Sequence, residues 1–209
     1  MFSLKVINIL LLLLLSSTIF LSCSESTEPD DFMKELIPLK VGNTWNYTRT
    51  VYDSVGVILY TENIISMVQK DTIINHIKWF GYTDVPASVY FTNKSNGYWS
   101  FQKAVPNYCL NDTSFVVYKY PTQVGDIYGD PETPKEVISV DEMITVPAGK
   151  FKVIHLITTF IGSTNYLLDS FEIFIAPGIG IIQRMQIGKK YDGTKFIVYK
   201  DELVSYSIE

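Results

Sequence analysis

An all-β fold is what this sequence predicts, and two observations carry the prediction. From residue 44 onward nearly every segment is rich in β-branched and aromatic residues and is closed off by Gly, Pro, Asn or Asp. No stretch of ten or more residues repeats apolar side chains at i, i+3, i+4 and i+7 between capping residues. The expected architecture is a single domain of curved antiparallel sheet, an open half-barrel or a sandwich, with few or no helices.

The elements follow in order. "TWNYTRTVY" places Trp45, Tyr47 and Val51 on one face of a strand and Thr44, Asn46, Thr48 and Thr50 on the other. Further strands are expected over 57–69, 72–82, 88–92, 97–105, 114–120 and 135–146. The carboxyl-terminal part adds 150–161, 165–176, 180–187 and 194–208. Asp192-Gly193 in "YDGTKF" and Asn96-Gly97 in "SNGY" read as tight hairpin turns. The segment "GDPETPK", 129–135, is the most loop-like of the domain, because its two prolines would interrupt a central strand.

"PLKVGNTW" from Pro38 and "PTQVGDIY" from Pro121 share Pro-x-x-Val-Gly-(Asn/Asp)-x-aromatic at an offset of 83 residues. Gly42 and Gly125 permit φ > 0, and Asn43 or Asp126 can close the turn before an aromatic strand residue. Two β halves that begin alike, or independent use of one good turn, both account for it. A solenoid or propeller would repeat more often.

The amino terminus is an address. Lys5 precedes an apolar run from Val6 to Leu15 broken only by Asn8, then Ser16, Ser17 and Thr18. The run is shorter than the ~20 residues a spanning helix needs and has the layout of a secretory signal. Its ending, Phe20-Leu21-Ser22-Cys23, resembles the lipobox of bacterial lipoproteins, with Phe20 where Leu is usual. The resemblance implies lipidation of Cys23 and a membrane partner reached through that anchor. It also implies residence in the bacterial envelope, on the outer membrane, at its periplasmic face or at the cell surface. Residues 1–22 are then a signal peptide, 23–35 the lipidated cysteine and a solvated acidic tether, and 36–209 the β domain.

Removing residues 1–22 takes away one lysine and leaves 187 residues with 16 basic and 22 acidic side chains, a net charge of about −6. A chain of that length suits one domain with a substantial core. Its charge lacks the basic footprint of a nucleic-acid binder, so no nucleic-acid partner is expected. Once Cys23 carries lipid, Cys109 stands alone and no intramolecular disulfide forms.

"ELIPLKVGNTWNY", "TVPAGKFKVI" and "APGIGIIQRM", in that order, resemble β-rich domains of uncharacterised secreted and lipoprotein families of bacteria. The resemblance spans roughly residues 36–209 and implies no activity. It is compatible with a curved sheet like that of periplasmic lipoprotein carriers, without the helices that plug them.

The chemistry-bearing residues are sparse. His76 and His155 cannot build a multi-histidine zinc site, and no nucleophile elbow, phosphate loop or dinucleotide fingerprint is present. No metal site and no cofactor is expected. His155, in "FKVIHLITTF", reads as a hydrogen-bonded strand histidine. The aromatic content, with 14 tyrosines and three tryptophans, is more informative. In "KWFGY" and "YWSF", Trp79, Tyr82, Tyr98 and Trp99 are the candidate ligand-binding residues, since flat rings with polar handles make binding platforms. Core and cross-strand packing accounts for the same residues. The function expected is a non-catalytic binding or carrier domain for an apolar or glycan ligand. The alternatives are a scaffolding subunit that meets an envelope protein through an edge strand, and a hydrolase using a carboxylate pair.

Overall fold

The structure is a computed structural model and describes residues 35–105, 111–163 and 165–209. Cys23 and Cys109 lie outside the described residues. Among those described there are twelve strands and no helix, in one antiparallel sheet nearly closed into a barrel. The first six are β1 (Thr44–Tyr52), β2 (Ile58–Ile74), β3 (Ile77–Tyr82), β4 (Val89–Lys94), β5 (Gly97–Gln102) and β6 (Thr113–Lys119). The second six are β7 (Ile127–Asp130), β8 (Thr133–Val146), β9 (Gly149–Thr159), β10 (Ser170–Ala176), β11 (Gly180–Lys189) and β12 (Lys195–Ser207).

Their spatial order is β6-β5-β4-β3-β2-β1-β12-β11-β10-β9-β8-β7. Each set of six is a meander of sequence neighbours, and the two meanders join where the first strand pairs with the last, from Thr44 opposite Ser207 to Val51 opposite Tyr199. The outer strands β6 and β7 approach each other through Lys119, whose Nζ donates to Asp126 Oδ2 at 2.9 Å.

Both meanders open with the same turn. Gly42 N–H donates to Val68 O, Asn43 N–H to Lys40 O, and Val68 N–H to Asn43 O. In the second meander Gly125 N–H donates to Val137 O, Asp126 N–H to Gln123 O, and Val137 N–H to Asp126 O. The glycines hold φ of 101° and 84°, in the region where a side chain is strained.

Several local expectations need correction. The strand expected over 72–82 is two strands, separated by Asn75-His76 at φ 50° and 63°. This is the paired left-handed conformation of a tight hairpin, reached here without glycine. The turn before β5 is Ser95-Asn96, and Gly97 is already paired with Lys94. Its φ is 139°, and an added Cβ would lie 2.2 Å from the carbonyl oxygen of Tyr118. The segment 129–135 is a hairpin between β7 and β8, not a loop. Prolines fit there because β7 is a sheet edge and Pro134 lies beyond the point, at Lys135, where pairing with β9 begins.

The interiors of the two meanders differ in kind. In the second, Val137, Leu156, Ile173, Ile175, Ile182 and Leu203 are 0–3 % exposed. In the first, the buried and half-buried interior residues are mainly rings: Trp45, Tyr47, Tyr82, Phe91, Tyr98 and Tyr118. Leu36 and Ile37, ahead of β1, are buried in the same core cluster. Their segment is pinned by Gly178 N–H to Glu35 O and by Asn93 Nδ2 to Ile37 O, both at 2.8 Å.

Candidate functional site

The aromatic half of the interior does not fill completely. A cavity of about 240 Å³ remains between the inner faces of β1–β6 and β11. Five rings form a continuous run along its wall: Trp45 to Tyr82 at 6.1 Å, Tyr82 to Phe91 at 5.5 Å, Phe91 to Tyr98 at 5.2 Å, and Tyr98 to Tyr118 at 5.9 Å. The last two contacts are stacked, so the faces of Phe91, Tyr98 and Tyr118 are turned to one another across neighbouring strands.

Alternation along the strands explains the run. Tyr82 sits two residues from Phe80, whose partner across the sheet is Phe91, and Tyr98 lies two residues from Ser100, the cross-strand partner of Phe91. These positions therefore share one face. Trp45 and Tyr47 are anchored from β1 to the opposite meander, the indole N–H donating to Ile179 O at 2.7 Å and the phenol to Ile181 O at 2.9 Å. Gly180 allows this approach, because a Cβ there would lie 3.2 Å from Trp45 Nε1.

Of the four ring residues singled out from the sequence, Tyr82 and Tyr98 line the cavity and are hydrogen-bonded to each other at 3.3 Å. Trp79 and Trp99 occupy alternate positions and project from the other face. There Trp79 is 2 % exposed and packs on Phe101 at 5.4 Å, while Trp99 is half-buried and bonded to Asn96. Lys94 joins the two indoles, 3.9 Å from the ring of Trp99 and 5.3 Å from that of Trp79.

Burial pushes the hydroxyls of Tyr47, Tyr82, Tyr98 and Tyr118 well above the usual phenol range. They stay neutral at any physiological pH; the O–H groups of Tyr47 and Tyr98 are committed to Ile181 O and Tyr82 Oη, so these two can meet a ligand only as acceptors. Polar residues on the wall are Ser66, Asp84 and Arg184. Asp84 is exposed, at the mouth, and accepts from Ser66 Oγ at 2.8 Å.

Arg184 belongs to a row of charges that no motif in the sequence marks. Glu62, Arg49, Asp201 and Arg184 are successive cross-strand partners on β2, β1, β12 and β11, one row of alternating charge across the seam between the meanders. Asp201 is fully buried. It accepts from Arg49 Nε at 2.7 Å and Nη2 at 2.9 Å, and from Arg184 Nε at 2.8 Å. Such a carboxylate is tolerable only because its lone pairs are met by charged donors. The row ends at Arg184, since its partner on the next strand is Ile173.

His155 lies outside the cavity lining. Its ring stacks on Phe174 at 4.1 Å and its two nitrogens lie 3.1 Å from Glu142 and 3.2 Å from Glu172, tying three adjacent strands. Among the described residues no group of three or more His, Cys, Asp or Glu could hold a metal ion. No helix among them is long and apolar enough to cross a membrane.

No protein-family model matches the chain, and no curated protein matches it. Among solved structures it is similar to a candidate lipoprotein from Parabacteroides distasonis ATCC 8503, at 14% identity and a TM-score of 0.49 over 83% of this chain and 99% of that one. It is also similar to a candidate exported protein with a YmcC-like fold from Bacteroides fragilis NCTC 9343, at 14% identity and a TM-score of 0.48 over 84% of this chain and 100% of that one.

Proposed function

We propose that this chain is a non-catalytic binding domain of the bacterial envelope, tethered through lipid on Cys23, whose cavity takes a small ligand with extensive apolar surface. The observation that carries the binding reading is the run of five rings around unfilled space. A core built only for stability fills such space, because each void forfeits contacts with the atoms lining it. Concave, mostly apolar space with a few convergent polar groups is the usual form of a small-molecule site.

The hydrolase reading has less support. The cavity wall among the described residues carries one carboxylate, Asp84, where a glycosidase needs two facing carboxyl groups. The scaffold reading rests on edges: β8 runs to Val146 while β7 pairs with it only as far as Glu136, and β2 starts at Ile58 while β3 pairs with it only from Val68. Such edges leave the ring-lined cavity unexplained, and the cavity favours the binding reading.

Trp45 is the one tryptophan on the cavity wall, so a chain carrying Trp79→Phe and Trp99→Phe reports the site by its remaining indole emission. Saturable change with apolar probes such as naphthalene derivatives is expected. Absence of saturable change with every probe overturns the binding reading. The anchor is tested separately: Cys23→Ser is expected to abolish acyl labelling and to move the protein out of the membrane fraction, and unchanged labelling refutes it.

A further inference from the structure

We infer that the ligand of this cavity is an anionic amphiphile, an apolar body bearing a carboxylate or phosphate that pairs with Arg184; the inference rests on the binding reading above. A guanidinium carries five N–H donors. Among the described residues Arg184 uses only Nε, donating to Asp201, and its two terminal nitrogens have no hydrogen-bond partner. Its side chain is 22 % exposed and lines the cavity, with its guanidinium carbon 5.3 Å from the centre of the Tyr47 ring.

Position in the charge row explains why these donors are spare. Arg49 faces acids on both sides, with Asp201 bidentate on one and Glu62 at 3.9 Å on the other. Arg184 has Asp201 on one side and Ile173, 3 % exposed, on the other. Asp201 is already shared with Arg49, so it neutralises Arg184 only in part. A guanidinium with two parallel free N–H groups matches the two oxygens of a carboxylate or phosphate.

The one acid in the cavity does not offset this. Asp84 stands exposed at the mouth, where water screens it more than it screens Arg184, which is half-buried beside the Tyr47 ring. The acid group of a ligand is therefore drawn inward to Arg184, and its apolar body lies along the row of rings Phe91, Tyr98 and Tyr118 that lines the cavity.

The test uses the mature chain with Cys23→Ser, and four probes of one apolar body: 2-naphthoate, 2-naphthyl phosphate, 2-naphthamide and 2-naphthylmethylammonium. Affinities are measured by calorimetry. At least one anionic probe is expected to bind about tenfold or more tighter than the amide, as a charged hydrogen bond in a desolvated site allows. Which anion wins distinguishes a carboxylate from a phosphate ligand. Arg184→Lys is expected to remove most of that preference while binding of the amide persists, which also shows that the variant is folded. Equal affinity for the amide and both anions overturns the inference and leaves the binding reading standing. Tighter binding of the ammonium probe, lost in Asp84→Asn, overturns it likewise. Binding of none of the four overturns both.

Discussion

The two turns that open the two meanders share one backbone plan, and the side-chain difference that matters most between them is Asn43 against Asp126. Asn43 is 1 % exposed; its Nδ2 donates to Pro38 O and its Oδ1 accepts from Glu209 N–H, both at 3.1 Å. Asp126 keeps contact with solvent and accepts from Lys119 Nζ, Thr122 Oγ1 and Gln123 N–H at 2.9–3.0 Å. The first turn lies at the seam, where the chain's end covers it, so the side chain there has to be neutral and both donor and acceptor. The second lies where the open edges approach, beside a lysine, so a carboxylate serves. A turn's backbone follows from its local sequence, whereas the charge it can carry follows from what the rest of the chain lays over it.

The meanders also differ in how tightly their hairpins close, and this sets the largest effect. Gly97 and Gly149 both start strands, at φ 139° and 138°. At Gly97 a Cβ would meet Tyr118 O at 2.2 Å, whereas at Gly149 the nearest atoms are in the Phe151 ring at 3.6 Å. Gly149→Ala is expected to cost about 1–3 kcal/mol from backbone strain alone, and Gly97→Ala about 4 kcal/mol or more. Equal urea midpoints for the two variants would remove the distinction.

Next in size is Asn43→Asp, which buries a carboxylate facing the Pro38 carbonyl and should cost about 3 kcal/mol or more in chemical denaturation. The mirror change, Asp126→Asn, should lower the midpoint at neutral pH by less than Asn43→Asp does, since it removes only the stability that the ionised, partly solvated carboxyl contributes there. A smaller and equal effect is expected from Gly42→Val and Gly125→Val, about 1 kcal/mol each, because both have positive φ and nothing within 4 Å of an added Cβ. Unequal losses would show that the two turns are less alike than their hydrogen bonds.

The smallest effect is a pH dependence confined to the second turn. The hydrogen bond from Lys119, with those from Gln123 and Thr122, lowers the Asp126 carboxyl from 3.8 to about 2. A depressed carboxyl contributes stability that is complete above its unfolded value and is lost as pH falls through the folded one. Stability carried by Asp126 therefore fades between about pH 4 and pH 2, and Asp126→Asn should flatten that part of the stability profile. An unchanged profile would refute the assignment.

The all-β class, the Asp192-Gly193 hairpin and the common face of Trp45 and Tyr47 were legible because each is set by local alternation or turn chemistry. Gly193 has φ 89° and Thr194 N–H bonds to Asp192, as such a turn requires. The Asn75-His76 turn was hidden because neither residue is a glycine, and β7 because four residues beside prolines carry too little pattern. The charge row was illegible for another reason. An Arg or Asp on a strand ordinarily marks a solvent face, and the contacts that bring Arg49 inward come from residues 152 positions away. The cavity was half legible: Tyr82 and Tyr98 belong to it, but which ring of each aromatic pair faces inward depends on which side of the sheet is closed over.

The pairing of β1 with β12 has a consequence for how the chain acquires its shape. Until its last strand emerges, the sheet exists as two separate pieces, and the edge of β1 that will receive residues 199–207 is bare. Contacts so distant in sequence form slowly, and an uncovered edge in the interim invites pairing with other chains. A polypeptide shortened by its final thirteen-residue strand would lose more than one strand's worth of hydrogen bonds: it would lose the join between its halves, half of the charge row's anionic members, and with them the wall that holds Arg184 in place.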